Sequence, residues 1–113
     1  MLRPYKISLN RVHDKVLITE GDEQLLLVVD GDAARMIAAL TEAQKTLKGI
    51  GEESTEGERQ EAALQFAQAI FGRAQAARIV EFYHGDALCI IDVCGRYFSD
   101  RLAKIIAKTQ KKR

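Results

Sequence analysis

The stretch VDGDAARMIAAL, Val29 to Leu40, is where the pattern of the chain changes. Upstream of it, apolar residues alternate or run together as they do in strands. Downstream, Met36, Ile37, Leu40, Ala43 and Leu47 recur at three- and four-residue spacing, which lines one face of a helix. Asp30 or Asp32 can accept the hydrogen bonds that the free N–H groups of a new helix offer. Gly49 and Gly51 mark that helix's end.

On the upstream side, YKISL sets Tyr5, Ile7 and Leu9 on one face, and KVLIT sets Val16 and Ile18 on one face. QLLLVVD reads as a continuous apolar strand. EGDE, Glu20 to Glu23, supplies a turn between the last two segments, and NRVHD, Asn10 to Asp14, is the punctuation between the first two, which places His13 in a turn. Residues 1–30 are therefore expected to form a small antiparallel β-meander.

On the downstream side, KGIGEESTEGE is a polar, glycine-containing loop, and Thr55 and Glu58 have the spacing of a capping box. A helix follows to about Phe71, with Ala63, Phe66, Ala67 and Ile70 inward. Gly72 separates it from a short helix carrying Ala76, Ile79, Val80 and Tyr83 inward, which Gly85 stops. Asp86 can cap a last, long helix reaching about Lys108. Its expected apolar seam is Ile91, Cys94, Phe98, Leu102 and Ile105, extended backwards by Ala87. Gly95, inside this helix, allows a close approach, a kink or a break. The expected fold is α+β: one domain over 1–113, a meander over 1–30, about four helices over 31–113, and a basic end at 101–113.

Composition bounds the function. With 113 residues, 47% hydrophobic and 29% charged, the chain has the makeup of a folded domain and not of a disordered one. The longest apolar runs, LLLVV and ALCII, fall far short of a membrane span, and MLRPYKISLN has no secretory core. Cys89 and Cys94 point in different directions on a helix, and are read as reduced thiols in a cytoplasm.

The segment HGDALCIIDVCGRYFSD, His84 to Asp100, gathers residue types found in reaction centres. A zinc site needs about four ligands, and one C-x4-C pair beside a distant histidine does not supply them. A nucleophilic cysteine needs an adjacent base, and the chain's histidines, His13 and His84, sit in a strand turn and at a helix end. GIGEES, Gly49 to Ser54, follows a helix and lacks the lysine of a phosphate loop. No catalytic, metal or cofactor-binding residue is expected, and the chain is read as a non-enzyme. Net charge is +1, but Arg101, Lys104, Lys108, Lys111, Lys112 and Arg113 leave the end strongly basic. That pattern suits a helix C-terminus and long-range attraction of acidic partners.

Three stretches, LVVDGDAARMIAAL, QAIFGRAQAARIVEFYHGD and IIDVCGRYFSDRLAKIIAKTQKKR, resemble the tail assembly chaperones of long-tailed, siphovirus-like phages and prophages. The most telling feature is the FG step at Phe71-Gly72, followed by a short helix and a GD step. The resemblance implies a non-enzymatic protein in the cytoplasm of a bacterial host, absent from the mature virion. It implies binding and solubilisation of the helical tape measure protein and recruitment of tail tube subunits. Such a partner helix lies in a groove, for which Phe82, Tyr83, Tyr97, Leu102 and Ile106 are the candidate anchors. Self-association is open, a membrane partner is not expected, and the competing reading is a small nucleic-acid-associated regulator using the basic C-terminal helix. The chain lacks an aromatic stacking platform and a helix-turn-helix signature, which disfavours that competitor.

Overall fold

The computed structural model describes residues 2–5 and 10–111, the last two in backbone only. The fold is α+β. Strand β1 (Arg11–Glu20) pairs antiparallel with β2 (Glu23–Asp32), and α1 (Ala33–Lys48) and α2 (Glu56–Phe82) follow. Then α3 (Ala87–Tyr97), a π-helical segment (Phe98–Leu102) and α4 (Ala103–Lys111) run on as one rod, with helical backbone angles at both junctions.

The hairpin closes through Gly21-Asp22, between the paired Glu20 and Glu23. Gly21 has φ +60°, the left-handed conformation that glycine adopts without steric cost at the first position of such a turn. One sequence expectation changes here. NRVHD is not a turn, because Arg11 to Asp14 open β1, and alternation begins at Val12. The apolar strand QLLLVVD lies in β2, where Leu25, Leu27 and Val29 are buried whereas Leu26 is 54% exposed, since helices cover only one side of the hairpin. The YKISL strand falls mainly outside the described residues. Tyr5 belongs to no strand, and among the described residues the sheet has two strands.

Asp32, not Asp30, caps α1, accepting from the Arg35 N–H at 3.1 Å. Asp30 instead binds Arg11. Thr55 and Glu58 form the reciprocal capping box at the start of α2. About four helices were expected, but helical backbone forms three runs. The short helix after Gly72 is the second arm of α2, joined at a single non-helical residue, Gly72, with φ 81° and ψ 170°. The Gln60 side-chain amide donates to the Gly85 carbonyl at 3.2 Å. In a straight helix those residues would lie roughly 37 Å apart, so the arms fold back on each other.

The core lies between the hairpin's inner face, α1, the arms of α2 and the last rod. Leu27, Ile79, Ile90 and Leu102 are its largest fully enclosed side chains, each contributing about 1.5–3 kcal/mol through burial. The expected seam of the rod shifts: Ile90, Cys94, Leu102 and Ile106 are buried, while Ile91, Phe98 and Ile105 are half-buried. A four-residue repeat runs ahead of an α-helix by roughly 40° per step. The wider π turn at Phe98–Leu102 takes back part of that drift and returns Leu102 and Ile106 to the core.

Candidate functional site

Alternation along β1 turns Asp14 inward with Val12, Val16 and Ile18, and its side chain is buried. The last rod answers it. Tyr97 donates its hydroxyl to Asp14 Oδ2 at 2.8 Å. Arg101 donates from Nε at 2.7 Å and from Nη2 at 2.6 Å, one bond to each carboxylate oxygen. Burial pushes the Asp14 carboxyl up, but the bonds from Arg101 and Tyr97 outweigh it and hold the group below the ordinary aspartate value. The Tyr97 phenol is pushed well above its ordinary value by burial and by the bond to Asp14. Tyr97 also stacks on Phe71 with ring centroids 5.8 Å apart. This cluster fastens the start of the chain to its end.

The expected anchors therefore separate. Leu102 is fully buried and offers no surface to a partner, whereas Ile106, 7% exposed, packs in the core and shows only an edge to the groove between α1 and the last rod. They face inward because the π turn resets the register of the rod. Phe82 and Tyr83 are half-buried and meet edge to face at 5.1 Å. Among the basic candidates, Arg101 is committed to Asp14, whereas Lys104 and Lys108 are exposed. The Lys111 side chain, Lys112 and Arg113 lie outside the described residues.

The cysteines differ. Cys94 is enclosed in the core, and burial pushes its thiol up to about 12. Cys89 is exposed and its thiol is also raised, chiefly by its bond to Asp86. Neither environment favours the thiolate that nucleophilic chemistry needs. His13 lies in β1 with its side chain exposed, and His84 lies in the turn after α2. Among the described residues, no three His, Cys, Asp or Glu side chains converge as metal ligands.

Two grooves flank α3 and lie open to a partner. The larger, of about 480 Å³, runs between the arms of α2 and the start of α3, over Leu64, Ala77, Val80 and Ile90, with Gln60 and Glu61 at its lip. It exists because Gly72 folds α2 back, and Leu88, 74% exposed at the first turn of α3, lines a neighbouring hollow that shares Gln60 and Gly85 with it. The second, of about 330 Å³, lies between the outer edge of β1 and α3, where Val16, Ile18, Tyr83 and Tyr97 meet Cys89 and Asp92. The sequence reading missed Asp14 and both grooves. For Asp14 a signal existed, in the period-two pattern starting at Val12. The chain matches no protein-family model, no curated protein and no solved structure.

Proposed function

We propose that the protein is a non-enzymatic binding module that acts as a phage or prophage tail assembly chaperone, holding the helical tape measure protein soluble and helping to recruit tail tube subunits. The observation that carries this reading is the apolar groove between the arms of α2 and α3. A groove with helical walls and an aliphatic floor suits the apolar stripe of an amphipathic helix, taken as anchors at three- and four-residue spacing. The resemblance in sequence supplies the identity of that helix. Among the described residues no helix is long and apolar enough to cross a membrane, and action in the host cytoplasm belongs to the same proposal. Binding there replaces the anchors Leu102 and Ile106 with Leu64, Val80 and Leu88.

Co-expression with a phage tape measure protein is the test. The expected result is a soluble complex that survives purification. Ala77 is exposed in the groove, so Ala77→Arg blocks the floor without opening a core cavity and should abolish the complex while the thermal melt is unchanged. A partner that stays insoluble with the unaltered chain overturns the chaperone reading. A complex indifferent to Ala77→Arg overturns the choice of groove.

A further inference from the structure

We propose that this chain pairs with a second copy of itself by adding the copy's N-terminal arm, residues 2–9, to the outer edge of β1, which no described residue covers. Three observations lead there. The first is the direction of the β1 backbone groups. Ala33 donates its N–H to the Asn10 carbonyl at 2.8 Å, so Asn10 and Ala33 face each other as a bonded pair. Bonded and non-bonded pairs alternate in an antiparallel ladder. Leu17–Leu26 and Thr19–Gln24 are consequently non-bonded pairs, and the N–H and C=O groups of Leu17 and Thr19 point out of the sheet. Among the described residues no backbone group outside the hairpin bonds to them. The β2 edge differs, because the Gln75 side-chain amide accepts from the Val28 N–H at 2.6 Å and donates to the Val28 carbonyl.

The second observation is the arm. YKISL has the alternation of a strand, yet Leu2 is 98% and Tyr5 89% exposed. Asn10 is held in the ladder, so pairing with the β1 of the same copy would require the chain to reverse before Asn10. A reversal nearer the N-terminus would use up the alternating residues themselves.

The third is charge and shape. The groove beside the β1 edge is rimmed by Glu20, Asp92 and Asp100, against one base, Arg96, which is paired with Asp92 at 3.2 Å. The arm brings Arg3 and Lys6 and no acid. A strand laid on Leu17 and Thr19 with Tyr5, Ile7 and Leu9 against Val16, Tyr83 and Tyr97 carries Arg3 on that same face, beside the acidic rim, and Lys6 on the opposite one. Reciprocal exchange closes a two-fold dimer.

The test uses the full chain. Light scattering at rising concentration should show a dimer that weakens with salt. Ile7→Asp should return it to a monomer with an unchanged melt, and Thr19→Pro, which removes an outward N–H from an edge strand, should do the same. The Ile7→Asp variant leaves the hairpin sequence unaltered, so it keeps the test valid if the proline variant does not fold. A short bismaleimide should couple Ile7→Cys of one copy to Cys89 of the other, giving a covalent dimer that Cys89→Ala abolishes. A monomer at every concentration, a dimer untouched by Ile7→Asp, or a cross-link only within one chain overturns the proposal.

Discussion

Arg101 closes a two-pronged ion pair on Asp14, at 2.7 and 2.6 Å, across 87 residues of sequence. The pair joins the first strand to the last rod, so disturbing it should loosen both. Asp14→Asn should lower the urea midpoint. Tyr97→Phe removes one bond to a charged group and should cost about 1–2 kcal/mol. Two variants that reduce stability independently would show that the three groups do not act as a unit.

The same carboxyl predicts an acid limb. Its folded-state pKa lies below the ordinary value of 3.8, so the unfolded chain takes up the proton first. The stability that Asp14 contributes is present above about pH 4 and is lost as pH falls through the folded-state value. Denaturation curves recorded over acidic pH should show this loss in the unaltered chain and a flatter limb in Asp14→Asn.

The two unusual helix glycines should respond with opposite signs. A Cβ on Gly95 meets nothing within 4 Å, and the backbone there is helical, so Gly95→Ala should stabilise by about 1 kcal/mol. Gly72 has φ 81° and ψ 170°, a region essentially reserved for glycine. Gly72→Ala should therefore destabilise by about 1–3 kcal/mol. Thermal melts read both.

At the end of α2, Gly85 donates to the Val80 carbonyl at 2.9 Å and His84 to that of Glu81 at 3.1 Å. This terminator places His84 at the left-handed position, with φ 54°. A non-glycine residue there costs about 1–2 kcal/mol. His84→Gly should recover much of that, read as a rise in melting temperature.

Thiol labelling should distinguish the cysteines. Cys89 should react in the native protein, slowly near neutral pH because its thiol is raised, while Cys94 should react only on unfolding. Rapid native labelling of both would contradict the packing of the last rod.

Local rules located much of this fold. The caps at Thr55 and Asp86, the turn at Gly21 and the change of period at Val29 depend on near neighbours, and the sequence displays them. What it concealed is long-range. The carboxylate of Asp14 looks like turn punctuation until one knows that Arg101 meets it. The reversal at Gly72 looks like a gap between helices, although its consequence is the groove over Leu64 and Val80. The burial of Ile106 in place of Ile105 follows from a π turn that no composition signal marks. Gly95 invited a close-packing explanation, and its surroundings are open.

The Gln75 amide on Val28 has an implication for misassembly. A hairpin with two sticky flanks can template a neighbour on each side and so propagate into a fibril. With one flank stoppered by a side chain from α2, stacking can proceed from the other flank alone, and it terminates once two molecules have met.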